Sequence, residues 1–418
     1  MSDHADFPHA KENPDLVTAE QAIKSGSEAA AGKARRAARG APASAAELLR
    51  ALVGGSNKLS DVIFSPGRLP LVEMAGQLVQ ARLPELRAFR PEDTERLAAE
   101  IIGKQAHARR TLETQGSCDL SYNLEGISRF RVNIFRQRGT YGIVLRVIPT
   151  SIPGFEELNL PAQLAEIVEL KNGIVLVTGP TGSGKSSTLA AIINKINEEK
   201  AYHIVTIEDP IEFLHPHKKS AIHQRELHTD TPSFALALRA ALRQAPKVIL
   251  VGEMRDRETI EIALEAAETG HLVLSTLHTI DASKTVERIT GLFPLEEQHA
   301  VRVRVAKAFR FVVSQRLIPA ADGRSRVAAF EILKSTMRTR EYVEKGESAG
   351  KSLVDAMRDG DLEGMQHFDA EIEKLIRARK ISLETGLAFS TNPGNLRLQL
   401  RDLIEAARSE PAETPAAP

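Results

Sequence analysis

The stretch GPTGSGKSS, residues 179–187, decides the fold of this chain of 418 residues. It matches the pattern G-x-x-x-x-G-K-[S/T], in which the glycines let backbone N–H groups turn inward around a phosphate. Lys185 then reaches the β- and γ-phosphates, and the hydroxyl of Ser186 coordinates Mg²⁺. We call this stretch the P loop and expect it to hold the phosphates of a nucleoside triphosphate, ATP above all. The expected binding residues are Gly179, Pro180, Thr181, Gly182, Ser183, Gly184, Lys185, Ser186 and Ser187.

Short apolar runs with the length of fully buried strands recur on both sides of the P loop. They read GIVLVT at 173–178, HIVTIED at 203–209, KVILVGE at 247–253 and HLVLSTLH at 271–278. Segments with helical patterning separate them, and the helix directly after the P loop would point its positive end at the bound anion. Strands that alternate with helices are typical of a mostly parallel sheet covered by helices. We therefore predict an α/β domain at 160–330.

Polar residues stand at the ends of these predicted strands, where a ligand crevice forms in sheets of this kind. Glu208 and Asp209 end one run, and Glu253 ends another. A solvated or salt-bridged role is the default for any single carboxylate, but here several strands deliver polar residues to the same end. We predict that Glu253 is the base that activates the attacking water. His278 is the better sensor of the γ-phosphate, whereas His271 could equally be a hydrogen-bonded structural histidine.

Composition and patterning divide the rest of the chain into further segments. The predicted segments are a disordered arm at 1–45, a smaller domain of helices and strands at 46–150, a Pro- and Gly-rich linker at 151–159, an amphipathic helical region at 331–405 and a disordered tail at 406–418. Within the smaller domain, ISRFRVNIF and YGIVLRVIP alternate as two strands of a hairpin. Its Arg131 and Arg146 are free to leave the buried side.

The bulk composition excludes several classes of protein. Lysine plus arginine and aspartate plus glutamate both number 55, so the net charge is zero, unlike the basic excess of a duplex-binding protein. With no tryptophan and four tyrosines, the chain also has little to stack on single-stranded bases. Cys118 is the single cysteine, which excludes an intramolecular disulfide and an all-cysteine zinc site. No run approaches the roughly 20 apolar residues of a membrane helix, so we expect a soluble, cytosolic protein without direct membrane insertion.

Four motifs together resemble a known family. They are the P loop, the acidic segment VTIEDPIEFLHPHKKSAIHQREL, the segment VILVGEMRD, and the segment ETGHLVLSTLHT. Over residues 50–400 the chain resembles the hexameric secretion ATPase superfamily, and within it the type IV pilus retraction ATPases of the PilT and PilU type. The resemblance implies a RecA-like P-loop ATPase core with a smaller PAS-like α+β N-terminal domain and a helical C-terminal region. It implies ATP and Mg²⁺ as the cofactors.

The resemblance also implies roles for individual residues. Glu253 would be the catalytic glutamate, with Gly252 beside it in place of the usual aspartate, and Glu208 would lie near Mg²⁺ and the attacking water. The implied metal-site residues are Ser186, Glu208 and Glu253, and Asp209 and His271 are further candidates for the nucleotide site. Arg131 and Arg146 match arginines that reach the nucleotide from the smaller domain, where they would neutralise γ-phosphate charge in the transition state. Solvated arginines on a strand face are the alternative, and Arg239 and Arg243 are weaker candidates for the site or a subunit contact.

The partners implied by the resemblance are a homohexameric ring and an inner-membrane platform protein of the pilus machine. Nucleotide hydrolysis would rotate one domain against the other, turn the platform protein and withdraw pilin from the fibre. The chain would then be cytoplasmic and peripheral at the inner membrane, with no nucleic-acid partner. Pilus assembly and type II secretion ATPases typically carry a four-cysteine zinc module, so we expect retraction rather than assembly.

Departures from the family pattern keep alternatives open. Ala245 and Lys247 stand where the family usually has aspartates, and Lys247 adds a positive charge just upstream of Glu253 that would alter the rate or subunit contacts. The C-terminal AIRNLIRE motif is not present as such, and the nearest text is AEIEKLIRARK at 370–380. This favours a PilU-like or divergent paralogue that depends on a partner retraction ATPase. A slowly hydrolysing accessory subunit, an assembly or type II secretion ATPase, and a nucleic-acid translocase are the remaining alternatives.

Overall fold

A computed structural model gives the structure of the chain as two compact units that divide after Thr150. It describes residues 43–54, 59–74, 77–81, 83, 86–149 and 151–409. The predicted disordered arm therefore lies outside the described residues up to position 42, and the predicted tail does so from position 410. Residues 43–45, which we assigned to the arm, lead into a helix, and residues 406–409, which we assigned to the tail, end another. Ser44 caps the first of these helices by accepting a hydrogen bond from the backbone N–H of Glu47.

The first unit is a six-stranded antiparallel sheet with helices packed on it. Its helices are α1 (Ala45–Val53), α2 (Pro91–Ile102) and α3 (Ala106–Gln115). Its strands are β1 (Leu59–Phe64), β2 (Leu71–Met74), β3 (Gln77–Gln80), β4 (Ser117–Leu124), β5 (Ser128–Gln137) and β6 (Thr140–Ile148). The strand order is β3-β2-β1-β6-β5-β4.

The predicted hairpin of the first unit is confirmed as β5 paired antiparallel with β6. Phe130, Val132 and Ile134 are fully buried because alternate side chains of a strand point to the same face. Arg131 lies on the opposite face of β5 and is exposed, and its cross-strand partner is Arg146.

The second unit contains a seven-stranded sheet in the order β13-β12-β7-β11-β10-β8-β9. Its strands are β7 (Gly173–Thr178), β8 (His203–Glu208), β9 (Ala221–Glu226), β10 (Val248–Val251), β11 (Leu272–Leu277), β12 (Phe309–Pro319) and β13 (Arg326–Lys334). The helices around it are α4 (Lys185–Glu199), α5 (Phe234–Ala241), α6 (Arg257–Glu268), α7 (Ala282–Thr290) and α8 (Gln298–Ala308), with a 3-10 segment at Ala162–Glu169. Neighbouring strands are parallel except β12 and β13, which form an antiparallel pair.

Helices cover both faces of this sheet, which explains why its central strands β7, β10 and β11 are largely apolar. Helix α4 and the 3-10 segment bury one face, while α5, α6, α7 and α8 bury the other. Every residue of β7, β10 and β11 is buried. The predicted α/β fold class, with a RecA-like core and a smaller α+β N-terminal domain, is confirmed.

The C-terminal part of the second unit is helical, but it begins later than we predicted. Its helices are α9 (Met337–Lys345), α10 (Leu353–Asp359), α11 (Phe368–Arg377), α12 (Leu383–Phe389), α13 (Pro393–Gln399) and α14 (Arg401–Ser409), with a 3-10 turn at Asp361–Glu363. Residues 331–334 instead end β13, because Ile332 and Leu333 are buried on opposite faces of the sheet. Within the described part of the chain, no helix has the length and apolar character to cross a bilayer.

Ala245, one of the departures from the family pattern, lies in the left-handed backbone region with φ 52°. An alanine there is strained, whereas glycine adopts the region freely and aspartate tolerates it better. We therefore expect Ala245→Gly to stabilise the chain by about 0.5–1 kcal/mol in chemical denaturation. Ala240→Gly, inside helix α5, is the matched control and should destabilise it by a similar amount. Equal destabilisation by both variants would show that strain at position 245 is negligible.

Candidate active site

The P loop connects the end of β7 to the start of α4 and takes a shape that only glycine allows at two positions. Gly179 has φ 145°, and a Cβ atom there would lie 2.4 Å from the carbonyl oxygen of Gln315. Gly184 has φ 90°, and a Cβ atom there would lie 2.8 Å from Nε2 of Gln315. Side chains at these positions would therefore collide with Gln315 and displace the P loop from β12.

The P loop presents unpaired donors and a buried positive charge. Helix α4 starts at Lys185 without a side-chain cap, so its first N–H groups are available to an anion. Ser183 Oγ is buried and has no hydrogen-bond partner among the described residues. The Nζ atom of Lys185 donates to the carbonyl oxygens of Gly179 and Pro180, each at 2.9 Å, and burial lowers the pKa of this lysine. A polyphosphate would satisfy all of these groups at once.

Glu208 ends β8 and is held rigidly by two neighbours. Its Oε1 atom accepts hydrogen bonds from Thr206 Oγ1 at 2.6 Å and from Gln224 Nε2 at 3.0 Å. Burial raises the pKa of Glu208. The buried carboxyl group therefore holds its proton more tightly than a solvent-exposed glutamate does, and an approaching cation would oppose this effect. Asp209 follows directly and is exposed.

Glu253, His278 and Lys185 form a chain of contacts beside the P loop. Oε2 of Glu253 lies 3.6 Å from Nε2 of His278, and Nδ1 of His278 lies 3.5 Å from Nζ of Lys185. Burial and the charge of Lys185 lower the pKa of His278, so its ring is neutral at pH 7. Oε2 of Glu253 also forms an ion pair with Nε of Arg255 at 2.6 Å.

The loop that carries Glu253 is fixed between two strands. The N–H of Gly252 donates to the carbonyl oxygen of Ile207 at 2.8 Å, and Thr276 Oγ1 donates to the carbonyl oxygen of Gly252 at 2.7 Å. A Cβ atom at Gly252 would lie 3.3 Å from that same oxygen of Ile207. A side chain at position 252 would therefore require the neighbouring strand to shift by a few tenths of an ångström.

Three predicted residues of the second unit are not brought to this cluster. His271 precedes β11, and its Nδ1 atom lies 3.0 Å from the carbonyl oxygen of Ala266. It is separated from His278 by the whole strand, about 20 Å. Arg239 forms an exposed ion pair with Glu258 at 3.1 Å, and Arg243 is exposed beside it.

Lys247 also lies away from the cluster. It stands before β10, whereas Glu253 follows that strand, so its charge is at the opposite end of the sheet.

Arg131 and Arg146, in the first unit, are direct cross-strand neighbours on β5 and β6. Nε of Arg146 forms an ion pair with Oδ1 of Asp61 at 3.0 Å. Asp61 is a buried residue of β1. It holds the guanidinium group of Arg146 through Nε, although the arginine side chain is 69% exposed. The first unit therefore presents two adjacent guanidinium groups at its surface.

Sequence reasoning missed four residues that contact predicted site residues: Thr206 and Gln224 beside Glu208, Arg255 beside Glu253, and Asp61 beside Arg146. Gln224 and Arg255 belong to motifs that we quoted. The motifs therefore contained both residues, but they did not indicate which site residue each one contacts. Asp61 precedes Arg146 by 85 positions, and only the register of β1 with β6 brings the two together.

Comparison with known proteins agrees with this fold. The family described as Type II/IV secretion system protein matches residues 100–400. The chain is 44% identical over 323 residues to a twitching motility protein of Neisseria gonorrhoeae, covering 77% of this chain and 84% of that protein. It is 41% identical over 336 residues to the type IV pilus retraction ATPase PilT of Pseudomonas aeruginosa, covering 80% and 95%. The type IV pilus ATPase PilU of the same organism is 38% identical over 357 residues, covering 85% and 91%.

A crystal structure of the pilus retraction motor PilT with bound ADP matches this structure with a TM-score of 0.76 and 41% sequence identity. The match covers 85% of this chain and the whole of that one. Since the family match spans well over half of the sequence and the first two relatives are covered over 84% and 95% of their length, the chain belongs to the Type II/IV secretion system protein family.

Proposed function

We propose that the chain is the ATP-hydrolysing subunit of a hexameric motor that powers type IV pilus retraction and twitching motility. The observation that carries the proposal is the contact chain of Lys185, His278 and Glu253 beside the P loop. It occurs in a chain that is 41% identical to a pilus retraction ATPase over 95% of that protein. Both the chemistry of the site and the extent of the likeness support the same activity.

In the proposed reaction the N–H groups of the P loop and the Lys185 ammonium group hold the β- and γ-phosphates of ATP. Glu253 orients the attacking water and accepts its proton, and neutral His278 contacts the γ-phosphate. Lys185 must leave the carbonyl oxygens of Gly179 and Pro180 to reach the phosphates. Arg255 must likewise release Oε2 of Glu253 before that carboxylate can act on water.

The residues of the site also fit Mg²⁺. Ser186 supplies a hydroxyl group in the first turn of α4, and Glu208 and Glu253 supply carboxylates. No group of three or more histidine, cysteine, aspartate or glutamate side chains among the described residues could hold a metal ion alone. Mg²⁺ in such sites takes most of its ligands from phosphate oxygens and water, so one or two carboxylates are enough. When bound, the ion would neutralise the charge that develops on the phosphates.

We propose further that Arg131 and Arg146 complete the site in the assembled ring. Two adjacent guanidinium groups would stabilise the transition-state charge on the γ-phosphate, as arginine fingers do. The ion pair with Asp61 supports this role for Arg146, because it holds the side chain ready at the surface. Hydrolysis at such a shared site would couple to rotation of one unit against the other, which would turn an inner-membrane platform protein. The motor would therefore work in the cytoplasm, peripheral to the inner membrane.

A PilU-like accessory role is the second candidate. The chain is 38% identical to PilU, close to its 41% identity to PilT, and the C-terminal text AEIEKLIRARK departs from AIRNLIRE. Such a subunit would depend on a paralogous retraction ATPase in the same cell.

Deletion of the gene, followed by counting of surface pili, separates these functions. A retraction motor predicts excess fibres and loss of twitching motility. Unchanged fibre numbers would indicate the accessory role, and bare cells would indicate a pilus assembly ATPase. Either of these two results would contradict the proposal of a retraction motor.

A further inference from the structure

A row of polar side chains crosses the buried sheet of the second unit. Thr178 on β7, Ser314 on β12 and Glu331 on β13 are direct neighbours in register across the three strands. All three are at most 3% exposed, and they lie on the face of the sheet that packs against α7. A carboxyl group in this apolar layer needs a physical reason, because burial of an ionisable group destabilises a fold unless it is paired.

The hydrogen bonds along the row run from the P loop to Glu331. Thr178, the last residue before the P loop, donates through Oγ1 to Ser314 Oγ at 3.1 Å. Ser314 Oγ donates to Oε1 of Glu331 at 3.4 Å. The same Oε1 atom accepts the backbone N–H of Ala282, the first residue of α7, at 2.9 Å. Glu331 therefore links β7, the strand that leads into the P loop, to the first residue of α7 through hydrogen bonds.

Helix α7 begins directly after the segment that carries His278. Thr279 Oγ1 lies 2.6 Å from Thr285 Oγ1, and Thr285 Oγ1 donates to the carbonyl oxygen of Asp281 at 2.7 Å. These contacts join residues 279–281 to the first turn of α7. A shift of that turn would therefore shift His278 relative to the P loop.

We infer that Glu331 is a positioning residue, which keeps the segment of His278 in register with the P loop, and that its ionised form does so more strongly than its neutral form. The inference rests on the proposed role of His278. An ionised carboxylate binds N–H donors at a helix start more strongly than a neutral acid, because the bonds are charge-assisted and the helix dipole favours a negative charge there.

The surroundings of Glu331 allow it to change charge near neutral pH. The pKa of Glu331 is raised to about 7: burial is the largest cause and the charge of Asp281 adds to it, while the N–H of Ala282 and the charge of Arg316 oppose it. Asp281 at the cap of α7 and Arg316 on β12 are the charged groups that face it, and Asp369 on α11 faces Arg316 in turn. Because the unfolded chain releases this proton near its ordinary pKa of 4.5, the native state binds the proton more tightly. The contribution of Glu331 to stability is therefore present below pH 4.5 and is lost as the pH rises to about 7.

Glu331→Gln tests the inference, because glutamine keeps the size and the acceptor but never carries the charge. At saturating ATP, we expect the ratio of wild-type to variant kcat to rise about five- to tenfold between pH 6 and pH 8.5. KM for ATP should change little, since the P loop is untouched. The melting temperature of the variant should rise relative to that of the wild type from pH 5 to pH 8.

Ser314→Ala provides a second variant in case Glu331→Gln does not fold. It removes one donor to Oε1 of Glu331, so the rise of kcat should move to higher pH. Parallel pH profiles of kcat for all three proteins, with differences in melting temperature alone, would overturn the inference and leave Glu331 a structural residue. Failure of the proposed function is distinguishable, because the wild-type protein would then show no ATP turnover at any pH.

Discussion

Replacing Glu253 with glutamine should lower the ATP turnover of the purified protein by about 10²–10⁴-fold. Glutamine has the same size but cannot accept a proton from the attacking water, so the chemical step should slow while the P loop remains intact. The dissociation constant for ATP should therefore change little. Phosphate release at saturating ATP measures the turnover, and equilibrium titration with a fluorescent ATP analogue measures the binding.

A matched control is Glu261→Gln. Glu261 is partly exposed on α6 and forms an ion pair with Arg257 at 2.8 Å. This variant should retain turnover, because exposed ion pairs contribute little to stability. Equal turnover in the Glu253 and Glu261 variants would contradict the assignment of Glu253 as the base.

Replacing Arg146 with alanine should lower turnover by about 10³-fold or more if the arginine acts on the transition state. Affinity for ATP should fall much less, since a finger acts mainly when charge develops. Arg131→Ala should show the same pattern. Initial rates over a range of ATP concentrations separate kcat from KM for each variant.

Arg136→Ala is the control for the arginine variants. Arg136 is exposed on the same strand, β5, and lies beyond the register position that pairs Arg131 with Arg146. It should leave kcat within a few fold of the wild type. Near wild-type kcat in both the Arg131 and Arg146 variants would instead support solvated arginines on a strand face.

The sequence was sufficient to predict the central strands of the second unit. GIVLVT matches β7 and HLVLSTLH contains β11, because a strand covered on both faces is apolar at most positions. β9 was harder to find. Its text AIHQRE is mixed in polarity, since the strand lies at the edge of the sheet and its buried residues, Ile222 and Glu226, are few.

The same contrast holds for the site. The P loop and Glu253 were predicted from local motifs, since their chemistry depends on residues close together in sequence. Contacts between distant segments around the site were not predicted, because Gln224 reaches Glu208 across a strand pair and Glu331 reaches Ala282 across 49 positions. His271 shows that closeness in sequence can also mislead. It belongs to the same motif as His278, but a strand of six residues directs the two side chains to opposite ends of the sheet.

The measurement that tests the retraction motor most directly is the imaging of labelled pili on living cells that lack the gene. Cells complemented with the wild-type gene should extend and retract individual fibres, while cells complemented with the Glu253→Gln variant should extend fibres that do not retract. Immunoblotting must show equal amounts of the two proteins. Equal frequencies of retraction in the two strains would contradict the claim that ATP hydrolysis by this chain withdraws the pilus.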